Sequence, residues 1–226
     1  MPAPASVKGH VALLGDSILD NGAYTSGGPA VITQLQGLLP KGWRASLLAL
    51  DGSMIEDLDT QLATVSSDAS HLVIAIGGNN VLANLDVLEL RVKSSSEALL
   101  KLGQRAAMFE QAYRKAIHHA IDLDRETILC TIYNGNLDAA KGVEAAMLPD
   151  PAVARVGLTA FNDAILRVAF EAKLPVIDLR LVCTEPADYA NPIEPSSRGG
   201  EKIARAIVRS LGLSGEPAPV TRVFTS

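Results

Sequence analysis

Cysteine, aromatic side chains and clustered positive charge are all scarce in this chain of 226 residues. The two cysteines, Cys130 and Cys183, fit no zinc-binding spacing, so we expect reduced thiols and no metal site. Lys and Arg total 20 against 25 Asp and Glu, which gives a net charge of −5, and no basic run with interleaved aromatics occurs. This balance argues against nucleic acid as a partner.

Long apolar runs are also missing. No segment approaches the roughly 18–20 apolar residues of a membrane-spanning helix. Residues 1–9 lack the basic and apolar regions of a secretory leader. The first strand is not followed by G-x-G-x-x-G, and no P-loop occurs, so nothing favours nucleotide binding. We expect a cytoplasmic protein that acts on a small molecule, without a cofactor and without a membrane or nucleic-acid partner.

What the sequence does contain is an alternation of apolar strands and helical segments, with 48% hydrophobic residues. Strands are predicted at 11–14, 43–50, 71–76, 127–132 and 174–179, and the main helices at 30–39, 54–65, 97–119, 151–172 and 196–211. This order predicts a three-layer α/β fold, a five-stranded parallel sheet with helices on both faces. We expect one domain over 1–213 and a flexible tail over 214–226. The longest connection is 77–126, and its part 81–93 is predicted to cover a site.

The first three predicted strands each end in small or amide residues. These are Gly15-Asp16-Ser17, Asp51-Gly52-Ser53 and Gly77-Gly78-Asn79-Asn80. Parallel strands place their carboxyl ends at one edge of the sheet, so these side chains are expected to lie together. A hydroxyl flanked by backbone N–H groups and an amide suits acyl transfer, because the donors stabilise a developing oxyanion. Taken singly, each motif is also explained by a turn or a helix cap; their joint occurrence favours a site.

These residues resemble the sequence blocks of the GDSL, or SGNH, hydrolases. Gly15-Asp16-Ser17-Ile18-Leu19 resembles the first block, Gly52 the second, 77–80 the third, and Pro195-Ser196 the last. The resemblance spans 11–211 and implies a flavodoxin-like sheet and hydrolysis of esters, thioesters or sugar esters. It also implies that Ser17 is the nucleophile, and that the Ser17 N–H, the Gly52 N–H and the Asn79 side chain form the oxyanion hole.

Two blocks depart from the family pattern. Asn80 stands where the family has Asp, and Asn191 and Glu194 stand where it has the catalytic Asp and His. Another histidine is not expected to replace the missing one, because all four lie toward the opposite edge of the predicted sheet, about 17 Å away. They are His10, His71, His118 and His119.

Glu194 is therefore the candidate general base. A carboxylate with an ordinary pKa near 4.3 is a weak base at neutral pH. Burial would raise this pKa, whereas the N-terminus of the last helix and Arg198 would lower it. Asn191 is expected to orient Glu194 by donating a hydrogen bond to its carboxylate. The alternative is that Glu194 only caps the last helix and leaves Ser17 without a base.

The remaining acids near the predicted site have simpler interpretations. Asp16 is expected to hold the Ser17 turn by accepting backbone N–H groups. Asp51 and Asp188 are on loops at the same edge and are expected to be turn residues.

Two functions from different classes fit these residues. The first is a serine esterase for small acyl or acetyl esters; an aromatic content of 4% and the lack of a long apolar loop argue against an extended hydrophobic groove. The second is a catalytically weak or inactive hydrolase-like protein that binds a carboxylate or an acylated sugar. The missing histidine favours the second, and retention of Ser17, Gly52 and Asn79 favours the first.

Overall fold

The protein is described by a computed structural model that covers residues 8–142, 147–215, 221, 223 and 224. Five parallel strands form one sheet in the order β2-β1-β3-β4-β5. The strands are β1 (Gly9–Gly15), β2 (Trp43–Leu47), β3 (His71–Ala75), β4 (Glu126–Cys130) and β5 (Val176–Ile177). This is the flavodoxin-like order of a doubly wound sheet, so the predicted fold class is confirmed.

Six helices of the described residues surround the sheet: α1 (Val31–Leu38), α2 (Leu58–Leu62), α3 (Gly78–Leu82), α4 (Ser95–Ile121), α5 (Pro151–Glu171) and α6 (Ser197–Ser210). Short 3₁₀ turns cover Gly22–Tyr24, Ile55–Asp57, Leu85–Glu89, Leu137–Ala139, Leu179–Leu181 and Pro186–Asp188. No helix in the described part of the chain is both long and apolar enough to cross a bilayer.

Strand β1 divides the core into two halves. All seven of its residues are buried. Because side chains alternate along a strand, Val11 and Leu13 pack with α1 and α6, whereas Ala12 and Leu14 pack with α2, α4 and α5. A strand that is apolar on both faces belongs at the centre of such a sheet, with helices on either side.

Several element boundaries differ from the sequence prediction for local reasons. The strand predicted at 174–179 is reduced to β5, because Pro175 lacks an N–H and Asp178 caps a 3₁₀ turn by accepting from the Arg180 N–H. The helix predicted at 54–65 is a 3₁₀ turn followed by the short α2. Ser94 caps the start of α4, since its hydroxyl accepts from the Glu97 N–H at 3.2 Å.

Two terminal predictions concern residues that lie largely outside the described part of the chain. The absence of a leader was inferred from residues 1–9, of which 1–7 are not described. The flexible tail was inferred for 214–226, of which only 214, 215, 221, 223 and 224 are described. Both stay predictions.

Candidate active site

Glycine is required at the two strand ends that carry Ser17 and Asn79. Gly15 has φ +133°, and a Cβ there would lie 1.8 Å from the carbonyl oxygen of Ala75 on the neighbouring strand. Gly77 has φ +118°, and a Cβ there would lie 2.9 Å from the ring of Phe109. Only glycine adopts such backbone angles without strain, so the backbone can turn sharply at the ends of β1 and β3. The turn after β1 places Ser17 at the carboxyl edge, where it is 7% exposed.

A buried glutamine joins the end of β1 to the turn after β2, and Asn79 joins that turn to the end of β3. The Gln61 Oε1 accepts from the Gly15 N–H at 2.7 Å, and its Nε2 donates to the Gly15 carbonyl at 2.8 Å and to the Ser53 hydroxyl at 3.2 Å. The Asn79 side chain in turn donates to the Ser53 carbonyl at 2.9 Å. Gln61 was missed by sequence reasoning because it belongs to no motif and lies inside a predicted helix. The structure thus brings the three motifs together at one edge.

The three predicted oxyanion-hole donors have unequal support. Among the described residues, neither the Ser17 N–H nor the Gly52 N–H donates a hydrogen bond within the protein. Asn79 uses one of its two amide hydrogens on Ser53, which leaves the other for a ligand. Ser17 and Asn79 line the pocket described below, whereas Gly52, with φ +82°, is exposed in the turn after β2 and does not line it. The role of all three stays a prediction.

Glu194 lies beside Ser17. Burial raises the pKa of the Glu194 carboxyl from 4.5 to about 7; the hydrogen bond of the Ser17 side chain opposes this rise, and the negative charge of Asp51 adds to it. The carboxylate oxygen Oε2 is buried and has no hydrogen-bond partner among the described residues. A partly desolvated carboxylate next to a hydroxyl has the arrangement of a general base and its nucleophile.

Asp16 lies beneath the Ser17 turn as the sequence predicts. Its Oδ1 accepts from the Ile18 N–H at 3.1 Å, and its backbone carbonyl accepts from the N–H groups of Leu19 and Asp20. Burial raises the pKa of Asp16 from 3.8 to about 7, partly opposed by the Ile18 N–H, and the nearby charge of Glu194 adds to the rise. Oδ2 is buried and makes no hydrogen bond of good geometry among the described residues. Two buried carboxyls that both titrate near neutrality therefore adjoin Ser17.

Two predicted supports of Glu194 have other partners. Asn191 does not orient the carboxylate: its Oδ1 accepts from the N–H groups of Ile193 and Glu194, at 2.9 and 2.8 Å, and so holds the backbone of a tight turn. Arg198 does not reach Glu194 either. It forms an ion pair with Glu185 and approaches Asp188 at 3.5 Å. Burial of Glu194 is therefore not offset by a cation.

The loop that carries Glu194 is held by a residue that sequence reasoning missed. Asn21 is fully buried; it donates to the carbonyls of Pro195 and Ser196, at 3.2 and 3.3 Å, and accepts from the Val31 N–H at 2.9 Å. A single amide thus fixes the Glu194 loop against the segment that follows Ser17.

Two residues after β4 hold the same loop from the other side. The Tyr133 hydroxyl donates to the Ile193 carbonyl at 2.6 Å, and the Asn136 N–H donates to the Pro192 carbonyl at 2.8 Å. These contacts are between segments distant in sequence, so no local pattern indicates them.

Removing the Asn21 amide should loosen the Glu194 loop. We expect Asn21→Ala to lower the free energy of unfolding by about 1–3 kcal/mol, since it leaves the Val31 N–H buried without a partner. We also expect kcat for ester substrates to fall about tenfold, because a general base displaced by a fraction of an ångström transfers a proton less well. Urea unfolding and steady-state kinetics measure the two effects.

Asn162→Ala is the matched control for Asn21→Ala. Asn162 is also fully buried, and its amide forms two hydrogen bonds with the backbone of Ile132, at 2.8 and 2.9 Å. Asn162→Ala should lower the free energy of unfolding by a similar amount, but it should lower kcat much less than Asn21→Ala does. Equal losses of kcat in the two variants would contradict a specific role of Asn21 in positioning Glu194.

The remaining candidate residues have structural partners. Asn80 accepts from the Ile55 N–H and donates to Glu56, so it ties α3 to the turn before α2. Asp51 accepts from the Tyr24 hydroxyl at 2.7 Å. Asp188 is fully buried and pairs with Lys202 at 2.7 Å.

The histidines lie away from Ser17, as predicted. His10 and His71 are near the starts of β1 and β3, and His118 and His119 are in the last turn of α4. Among the described residues, no cluster of His, Cys, Asp and Glu could hold a metal ion.

An apolar pocket of about 130 Å³ opens beside Ser17 and Glu194. Its apolar lining comes from the turn after β1, the segment 81–88, α4, the segment after β4, residues 148–161 and the Glu194 loop. These side chains are Ile18, Val81, Leu82, Leu85, Val87, Leu88, Leu102, Ile132, Leu137, Leu148, Pro149, Val153, Ala154, Leu158, Phe161 and Ile193. Of the predicted cover at 81–93, the part 81–88 forms one wall, and residues 89–93 do not line the pocket. The sequence argues against the extended hydrophobic groove of a triglyceride lipase; this pocket is smaller, and scattered residues of several segments build it without a long apolar loop.

The fold is shared with solved structures of known esterases and lipases. An acetylxylan esterase from Geobacillus stearothermophilus aligns with a TM-score of 0.63 at 20% identity, over 93% of this chain and 97% of that one. An extracellular lipase from Streptomyces rimosus aligns with a TM-score of 0.58 at 17% identity, over 89% of this chain and 99% of that one. A protein from Parabacteroides merdae assigned as a GDSL-like lipase gives 0.66 at 14% identity, over 93% and 98%.

No family model matches the chain, and no curated protein matches it. The similarity to the solved structures, at 20% identity or less, establishes the fold.

Proposed function

We propose that this protein is a serine hydrolase of the GDSL or SGNH type that cleaves carboxylic esters, with Glu194 as general base in place of histidine. The observation that carries the proposal is the Ser17 hydroxyl beside a buried Glu194 carboxylate whose pKa is about 7. The esterases and lipases that share the fold support the same reaction class.

The reaction begins when the Ser17 Oγ attacks the ester carbonyl and Glu194 takes the hydroxyl proton. The negative charge on the carbonyl oxygen is stabilised by the Ser17 N–H, the Gly52 N–H and the Asn79 amide. Collapse of this intermediate breaks the ester bond, and Glu194 returns the proton to the leaving alcohol. Water then attacks the acyl-serine with Glu194 again as base, which releases the acid and restores Ser17.

The raised pKa makes Glu194 suitable for this work. A general base is most effective when its pKa is near the working pH. A carboxylate with the ordinary pKa of 4.5 is a weak base at pH 7, because its pKa is about 2.5 units below the pH. Burial raises the pKa of Glu194 to about 7. No imidazolium forms on this route, so the family's second acid is not needed, and an Asn at 191 that only shapes the turn is sufficient.

The charge of the pocket disfavours the alternative of a carboxylate-binding protein. Its described lining contains no Lys, Arg or His, and the ionisable groups in it are Asp16, Glu194 and the phenol of Tyr133. A bound carboxylate would meet two acids and no cation, which costs binding energy at neutral pH. A neutral ester meets no such penalty.

The pH dependence of hydrolysis tests the proposal. Because Glu194 must be ionised to accept the proton, kcat/KM for p-nitrophenyl esters should rise about tenfold per unit below about pH 6 and level off above about pH 7–8. Asp16 titrates in the same range, so the apparent pKa belongs to the coupled pair. A wild-type protein that hydrolyses no p-nitrophenyl acetate, butanoate or hexanoate above background would overturn the proposed function.

A further inference from the structure

The apolar pocket adjoins the nucleophile, so an acyl group on Ser17 would extend into it. We propose that this pocket holds the acyl chain of the substrate, and that the protein prefers esters of linear chains of about six carbons over acetates. This inference rests on the proposed function and specifies its substrate class.

Three walls of the pocket have the character of an acyl-chain site. Val81 and Leu85 come from α3 and the following 3₁₀ turn, Ile132 from the segment after β4, and Val153 and Phe161 from α5. Their side chains offer no hydrogen bond to a sugar hydroxyl. The other polar side chains of the described lining are Asp16, Asn84, Tyr133 and Asn134. The reacting carbonyl belongs beside Ser17, Asn79 and Glu194, and the apolar chain belongs against the aliphatic and aromatic side chains.

The size of the pocket sets the chain length. A cavity of about 150 Å³ lined by aliphatic and aromatic side chains holds benzene, a molecule of six carbons. The volume here, about 130 Å³, corresponds to a similar number of carbons. An acetyl group would leave most of this space unfilled, whereas a hexanoyl chain would bury four more methylenes. Each buried methylene increases the binding constant roughly fourfold.

The charge of the pocket narrows the class further. Asp16 and Glu194 supply negative charge at one end, and no cation occurs in the described lining. A chain that ends in a second carboxylate would have no partner and would be repelled by these acids. The fitting acyl groups are therefore neutral, such as butanoyl and hexanoyl.

Gly157 offers a substitution that fills the pocket without disturbing the fold. It lies on α5, it lines the pocket, and a Cβ built there would meet no atom within 4 Å. Leucine is also a better helix former than glycine, so Gly157→Leu should fold. Its side chain would occupy space that a long acyl chain needs and an acetyl group does not reach.

The experiment compares kcat/KM for p-nitrophenyl acetate, butanoate, hexanoate and octanoate. We expect hexanoate to exceed acetate by about tenfold or more in the wild type. In Gly157→Leu this hexanoate-to-acetate ratio should fall by about tenfold, with the optimum shifted to butanoate or acetate. A wild type that hydrolyses acetate as well as or better than hexanoate would overturn the acyl-chain proposal and leave the esterase proposal intact.

Gly103→Leu is the matched control. Gly103 also lies inside a long helix, α4, with no atom within 4 Å of an added Cβ, but it is exposed and does not line the pocket. It should leave the ratio at the wild-type value. An equal change of the ratio in both variants would contradict the assignment of the pocket, since the effect would then come from helix stability.

Binding of neutral amides separates this proposal from the proposed function. Calorimetry of Ser17→Ala with hexanamide and acetamide measures binding to the pocket in the absence of catalysis. Hexanamide should bind at least about tenfold more tightly than acetamide. Suppose that the wild type hydrolyses no ester, that Ser17→Ala still prefers hexanamide, and that the double variant Ser17→Ala/Gly157→Leu loses this preference. The esterase proposal then fails and the pocket proposal stands. If hexanamide shows no preference, the pocket proposal fails.

Discussion

Ser17→Ala is expected to lower kcat/KM for p-nitrophenyl hexanoate by about 10³–10⁵-fold, with little change in the stability of the fold. The hydroxyl is the attacking group in the proposed reaction, and the oxyanion donors that remain supply only residual catalysis by water. The side chain sits on a turn held by Asp16 and Gly15, not by its own hydroxyl, so the site should keep its shape. Stopped-flow and steady-state assays of p-nitrophenol release measure the loss of kcat/KM.

Glu194→Gln should produce a loss of about 10²–10⁴-fold at pH 8, because an amide of the same shape cannot accept the Ser17 proton. Glu201→Gln is the control of the same chemistry: Glu201 is on α6, half-exposed, and paired with Arg205. It should retain wild-type kinetics.

Covalent labelling distinguishes an activated serine from a binding site that happens to contain one. Diisopropyl fluorophosphate should modify the wild type at Ser17, more slowly in Glu194→Gln and not at all in Ser17→Ala, as read by mass spectrometry of the intact chain and its peptides. Full labelling of Glu194→Gln would contradict the Ser17–Glu194 pair, and would leave Ser17 activated by some other group.

The strands and the position of Ser17 could be predicted from the sequence because local signals determine them. A continuous apolar run predicts a strand buried on both faces, and a glycine at its end predicts the turn that exposes Ser17. The alternation of strands and helices then places Gly15, Gly52 and Gly77 at one edge of the sheet. Each of these inferences needs only neighbouring residues and one topological rule.

The supports of the site could not be predicted, because they are side chains that reach distant backbone. Gln61 bonds to Gly15, 46 residues away, and Asn21 bonds to Pro195, 174 residues away. In the sequence both are ordinary polar residues. Arg198 shows the converse: proximity along the chain suggested that it would lower the pKa of Glu194, but Glu185 and Asp188 bind it instead.

The properties that depend on burial were also inaccessible to the sequence. The pKa of Glu194 could shift in either direction until its solvation was known, and desolvation proves to be the largest cause. The pocket was missed because its apolar side chains come from several separate segments, none of which is a long apolar loop. Both features emerge only when distant segments exclude water from a shared space.

Asp16→Asn is expected to stabilise the protein at pH 8, by about 2–4 kcal/mol more than at pH 4. The folded-state pKa of Asp16, about 7, lies above its unfolded value of 3.8, because the buried site disfavours the charged form. Folding is therefore favoured while the carboxyl is protonated, below about pH 4, and this contribution is lost as the pH rises to about 7. Asparagine stays neutral and can still accept from the Ile18 N–H, so it avoids the loss.

Urea unfolding of the wild type and the variant at pH 4, 6 and 8 measures this difference, and Asp68→Asn supplies a control of opposite sign. Hydrogen bonds from Arg44, the largest cause, and from Ser66 hold the pKa of Asp68 well below its usual range, so its contribution is present above about pH 4 and is lost in acid. Asp68→Asn should therefore destabilise the protein at pH 8 and have little effect in strong acid. If the gain in free energy of unfolding from Asp16→Asn does not grow with pH, Asp16 is better solvated than its buried position indicates. The carboxyl of Asp16 would then be ionised beside Ser17 at neutral pH.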